Sequence, residues 1–516
     1  MRHPFFAKAP HRPLLLAPTV QGVVLLMLLA LGLSAIAADD LSGYWLGEIG
    51  SPREKVSIGL NLQADAHGRY DMQLDLPIAH LRALPLHGKA DLDDSGTLVH
   101  RSLHMALRRQ GNELVGTLLG NGERMRLRRG ERDTLPTTSA PDAPASLPDP
   151  RWQAHLGGQI FASPVADGGV AYIGTTAGSL YAIDLADGSV RWGSALGYPI
   201  YATALLTDDA VFISSDGGYL HRLDRKSGRE QWRSSIQDAR SSREPPNPQS
   251  AAWEWQGPRP LLANGQLHIG GSDGSVQALD MHTGASRWKR QLSGRILHSL
   301  ASDGQQLFVV TEAGVLQALN ARTGSPLWQY RMPARPGAAP VVYRGRVFCN
   351  DRSGVLHAVD ARTGNALWLT QFWTSWIESE PAFDGNTLYI GSSDLRKVSA
   401  IDIINGRVLW RTDVGGWSWG TPLALGDHLV IGMAAGHPYF LEHGAGIGVL
   451  DRRDGRWLSA YSLPPGRGFQ WGIAGSVSGD ATTLVAADIE GVLMGFDLDA
   501  MLRATSATAR TTAHSP

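Results

Sequence analysis

The sequence predicts an all-β protein: an eight-bladed β-propeller of four-stranded blades behind a small N-terminal antiparallel β barrel or sandwich. Three observations carry that prediction. One phrase recurs along the chain with a period of about forty residues, the spacing of propeller blades. Each copy consists of short apolar alternations cut by Gly-containing turns. A content of 60 Gly and 16 Trp suits many tight turns and many large buried rings.

The phrase is clearest in GVLQALNARTGSPLW (314–328) and its near copy GVLHAVDARTGNALW (354–368). Looser copies begin at Gly178, Gly218, Gly274 and Lys397, a shortened one at Gly446, and GVLMGFDLD at Gly491 lacks the closing Trp. One period reads as strand A up to Tyr343, a turn at Arg344-Gly345, strand B as RVFCN, strand C as VLHAVDA, and strand D as NALWLTQ. Four such strands bury no apolar face alone, but stacked around an axis they do. Gly in the C–D turn supplies the positive φ the hairpin needs. The preceding Asp184, Asp224, Asp280, Asp360, Asp402 and Asp451 are expected to bond amides of their own turns. The Trp of strand D is expected to wedge blades together, each ring burying about 150–250 Å². The segment around Trp152 precedes the first full unit, so it is expected to complete blade eight and leave no open edge.

The other segments follow in order. Residues 1–37 read as a signal peptide: a basic start, an apolar run, and Ala35-Ile36-Ala37 as a small-x-small cleavage site. An uncleaved anchor over 20–37 is the alternative, and either reading exports the rest to the periplasm or cell envelope. Residues 38–130 form the small β domain; Val56, Ile58, Leu60 and Leu62 face one side of a hairpin opposite Tyr70, Met72, Leu74 and Leu76. Residues 131–150, rich in Pro, Ser and Thr, read as a linker, 151–500 as the propeller, and 501–516 as a disordered tail.

Composition narrows the chemistry. A net charge of −1 with 18% charged residues offers no broad basic face for nucleic acid. Cys349 is the sole cysteine, so no intrachain disulfide, haem-attachment string or multi-cysteine zinc site is possible. His437, Glu442 and His443 share a loop, but their spacing fits no zincin pattern. No catalytic residue is assigned.

Four-stranded blades send D–A and B–C connections to one end and A–B and C–D turns to the other. All the long insertions fall at the first end: 234–257 before blade three, 370–380 before blade six and 434–446 within blade seven. Binding sites collect on such loops. Aligned ahead of strand A lie Trp255, Arg295, Arg335, Trp376, Trp417 and Trp471, with Tyr198 one place off. Together with Glu378 they are the candidate ligand-binding set at the channel mouth, since Trp stacks and Arg pairs with carboxylates. The opposing reading is that these rings plug the channel.

The repeated phrase resembles the PQQ-type repeat shared by quinoprotein alcohol dehydrogenases and BamB-like outer-membrane assembly factors. The BamB-like resemblance implies a non-catalytic scaffold in the cell envelope that docks envelope proteins or peptide and glycan segments. The chain departs from that pattern in its extra β domain, its Pro-rich linker and the lack of a lipid-anchor Cys. The quinoprotein resemblance implies the alternative, a PQQ-dependent oxidoreductase of alcohols or sugars. Arg295 and Arg335 would then meet carboxylates of PQQ, a Trp would floor its rings, and Glu378 or Glu380 would hold Ca²⁺. The adjacent Cys-Cys pair of those enzymes is missing.

Overall fold

The computed structural model describes residues 40–512 apart from 52–53, 80, 87, 101–104, 118–123, 136–144, 238–253, 373–374 and 437–442. The leader read over 1–37 and most of the blade-three insertion therefore lie outside the described residues, as do His437 and Glu442. The propeller has eight blades. Blade five shows the plan: A Val341–Tyr343, B Arg346–Asp351, C Val355–Asp360 and D Ala366–Gln371, antiparallel throughout. The ring closes as expected. Trp152–His155 pairs antiparallel with Val492–Asp497 and becomes the outer strand of blade eight.

The recurring residues explain one another. Trp152 donates its indole Nε1–H to the carbonyl of Leu185 at 2.9 Å, and Trp368 does the same to Ile403 at 2.9 Å in the next blade. Each ring lies on the C–D turn glycine of that neighbour: a Cβ on Gly188 would sit 2.6 Å from Trp152, and one on Gly406 2.6 Å from Trp368. These glycines therefore answer two demands, a φ near +75° and a flat seat for indole. The turn aspartates accept amide protons as expected, Asp360 from Arg362 and Thr363 at 3.1 and 2.8 Å.

The N-terminal domain is one antiparallel sheet of nine strands curled into a half-barrel. Leu60 faces Leu74 and Leu62 faces Met72 across its hairpin, and this alternating face is buried with Trp45 and Leu127. Its core also takes in Leu395, a residue of the B–C turn of blade six that is 1% exposed. The half-barrel thus rests on the end of the propeller that carries the long loops. Leu395→Asp should release this contact at a cost of about 1.5–3 kcal/mol, measured as faster protease cleavage between the two domains. Unchanged cleavage would refute the contact.

Two segments differ from expectation. The linker ends in structure: Ala145–Ser146 pairs parallel with strand D of blade seven, and Leu147 is buried beside it. The tail read as disordered is helical over Leu498–Thr512. Its Ala content favours helix, Asp497 accepts the amide of Ala500 as an N-cap, and Met501 and Thr505 are buried one turn apart. Thr505 also bonds His428 at 3.0 Å, tying the helix to blade seven. Low hydrophobicity hid a helix that needs only one narrow buried stripe.

Candidate functional site

The inner lining of the propeller is layered. Strand A begins at Val165, Leu205, Leu261, Ala301, Val341, Ala382, Leu423 and Ser478 in blades one to eight. The sixth residue ahead of it gives the outer layer: Trp255, Arg295, Arg335, Trp376 and Trp417. The fourth gives Phe161, Tyr201, Glu378 and Trp419, and the second gives Ser163, Thr203, Arg259, Ser299, Glu380, Thr421 and Ser476.

At the mouth the arginines already have carboxylate partners. Arg295 holds Glu254 through both oxygens at 2.9 and 3.1 Å and lies 3.7 Å from Glu312, which lies 3.6 Å from Arg335. Glu378, 3% exposed, takes Arg352 at 2.9 Å and the indole of Trp255 at 2.9 Å. Arg352 stacks 4.6 Å over Trp376. Burial lowers the Arg352 pKa against the opposing pull of Glu378. The cavity framed by Trp255, His298, Arg335 and Arg352 measures about 30 Å³, roughly one water's share of liquid volume.

Below the mouth the tryptophans close the axis. Trp417 stacks on Trp419 at 4.9 Å and Trp419 on Trp255 at 5.5 Å, with interplanar angles of 12° and 24°. All three are buried, and Phe161 stacks on Tyr201 at 5.7 Å in the same cluster. Trp471 packs against Ala435 and Ala445 of blade seven instead. Trp255 and Trp417 thus take the role of plug, and Trp376 is the half-buried indole of the outer layer. Beyond the plug lies a second axial cavity of about 310 Å³, lined by the innermost polar layer.

Sequence reasoning missed Glu254, Glu312 and Arg352. Glu312 and Arg352 occupy successive B–C turns, so aligning the turns as strand A was aligned would have found them. A hydrogen-bonded Ser215–His221–Glu230 series, at 2.9 and 2.7 Å, was also unforeseen. It has the geometry of a hydrolytic triad. Blade five, however, carries Asp351 and His357 at the equivalent places, bonded at 3.0 Å, so the series is a repeated clip between strands.

PQQ with Ca²⁺ would find few free groups at this mouth. The arginines that would meet its carboxylates are engaged by Glu254 and Glu312, and Glu378 is neutralised by Arg352. Among the described residues no group of three or more His, Cys, Asp or Glu is placed to hold a metal ion. At the mouth the donor set does not fit the pair, whereas Glu380, the other carboxylate named for Ca²⁺, lies in the second axial cavity beyond the plug.

These features define the class: a PQQ-type repeat propeller with a charged, self-paired mouth and a closed axis. The chain belongs to the family described as outer membrane protein assembly factor BamB, which it matches over residues 147–251, 216–372 and 352–456. Among solved structures it is similar to BamB from Moraxella catarrhalis, at 18% identity and a TM-score of 0.51, covering 69% of this chain and 98% of that one. It is also similar to a quinohemoprotein alcohol dehydrogenase from Pseudomonas putida HK5, at 13% identity and a TM-score of 0.52, covering 69% of this chain and 76% of that one. The computationally designed Ika8 protein gives 15% identity and a TM-score of 0.55, covering 68% and 100%. At such identities the likeness is one of fold. A comparison with curated protein sequences gives no match.

Proposed function

We propose that this protein is an exported, non-catalytic binding module of the cell envelope that docks protein or polymer segments on its loop-bearing face. The observation that supports this reading most is the mouth itself. Its charges neutralise one another across blades three to six, and among the described residues the cavity above the aromatic plug, lined by Trp255, Arg335 and Arg352, measures about 30 Å³. Such a face recognises by surface and loops. Its fixed, alternating charges favour one register of a docked segment and penalise others. The half-barrel resting at Leu395 widens the same face. Family membership points to envelope proteins as the partners and to the periplasmic side of a membrane as the place.

The test is a photo-crosslinking residue placed at Glu312 in the living cell, with a second at Asn264, an exposed A–B turn on the opposite end. Glu312 should give discrete crosslinked envelope proteins and Asn264 none, and adding Arg335→Glu should abolish the Glu312 products. Equal labelling from both ends would refute the reading.

A further inference from the structure

The cavity beyond the plug has features that the docking reading leaves unused. Its serines staple neighbouring blades at the axis. Ser299 accepts the amide of Arg259, Ser476 that of Thr421, and Ser163 that of Ser476, at 3.0, 2.9 and 2.8 Å. Each of these hydroxyls accepts a proton there and keeps its own O–H for a further acceptor. Arg259 and Glu380 have no such structural duty. Among the described residues, neither the guanidinium nor the carboxylate makes a hydrogen bond or ion pair, yet both line the same cavity of about 310 Å³. Burial raises the Glu380 pKa, and Arg259 opposes that rise without cancelling it. A charged pair held apart inside a fold is costly unless something bridges it. The wall towards the mouth is apolar, made of Phe161, Trp255 and Trp419.

We propose that this cavity binds a small zwitterion with an apolar or aromatic side chain, a free α-amino acid or dipeptide, entering from the short-turn end of the propeller. Arg259 and the serine hydroxyls take its carboxylate, Glu380 takes its ammonium, and its side chain lies on the aromatic wall. The volume is of the size that holds small ligands, commonly about 300–1,000 Å³. The charges select the class. A ligand carrying only carboxylates meets Glu380 with like charge, and the C-terminus of a longer peptide leaves Glu380 unpaired. The closed aromatic layer prevents a chain from threading through to the loop-bearing face.

The experiment is titration of the purified full-length chain with L-phenylalanine, L-leucine and L-alanyl-L-phenylalanine, read by calorimetry and by tryptophan fluorescence, since Trp255 and Trp419 form the wall. At least one should bind saturably, and its N-acetyl and its amide derivatives should each bind about tenfold more weakly or worse, through loss of one charged hydrogen bond. Arg259→Gln and Glu380→Gln should each cause the same loss. Their thermal unfolding should stay at or above that of the parent, which shows the cavity intact. No saturable signal from any of the three at about 10 mM, or derivatives or folded variants that bind as tightly as the parent pair, overturns the proposal. The Glu312 crosslinks are indifferent to either result, because the plug separates the two sites.

Discussion

Trp368→Ala should destabilise the propeller by about 3–5 kcal/mol, the cost of emptying a large aromatic site, measured as the shift in denaturant midpoint at constant slope. The ring is 5% exposed, lies at 5.8 Å from Phe348, seats on Gly406 of blade six and donates its indole proton to Ile403. Nothing can collapse into the gap, because both facing surfaces belong to rigid sheets and the seat is backbone. Leu327→Ala supplies the contrast. That side chain is 50% exposed on the outer strand of blade four, and its loss should stay within about 0.5 kcal/mol. A Trp368→Ala loss no larger than that of Leu327→Ala would mean that the indoles decorate the blades and do not join them.

The same contact shows what a sequence of this kind discloses. Asp, Gly and Trp recur because every blade meets its neighbour identically, so the repeat exposes the joints between blades. What differs between blades is what a site is made of, and there single positions give little warning. Arg295 read as a free guanidinium because its partner Glu254 lies one blade earlier, inside an insertion without repeat register. The tryptophans ahead of strand A could serve as a funnel or a plug. The choice depended on Trp419, two residues beyond Trp417, which completes the stack. Arg259 and Glu380 stood at equivalent places in blades three and six, legible by the alignment that found Trp255 and Trp376. That neither side chain makes a hydrogen bond or ion pair among the described residues, the property that matters, belongs to the fold alone.

Asp413→Ala should cost about 3–5 kcal/mol, the usual penalty for leaving one half of a buried ion pair behind. Asp413 meets Lys397 at 2.7 Å and Arg396 at 3.5 Å, and all three side chains are nearly enclosed. Burial alone would raise the Asp413 pKa; Lys397, Arg396 and the amide of Gly415 reverse that and hold it below the usual carboxylate range. Burial lowers the Lys397 pKa against the opposing pull of Asp413. A depressed carboxylate contributes stability that is present above its unfolded pKa and lost as pH falls through the folded one. The parent should therefore lose this contribution on acidification, whereas Asp413→Asn should show a flatter profile. Lys397→Met added to Asp413→Ala should recover most of the loss, because it removes the stranded charge. The consequence reaches beyond blade six. Arg396 sits at φ +54° and passes its carbonyl to the amide of Val414 at 2.8 Å, so the ion pair holds the strained turn that presents Leu395 to the half-barrel. Asp413→Ala should accelerate protease cleavage between the two domains as Leu395→Asp does, and the double mutant with Lys397→Met should slow it again. If stability falls while that cleavage is unchanged, the turn is held by its backbone bonds and the charge pair serves blade six alone.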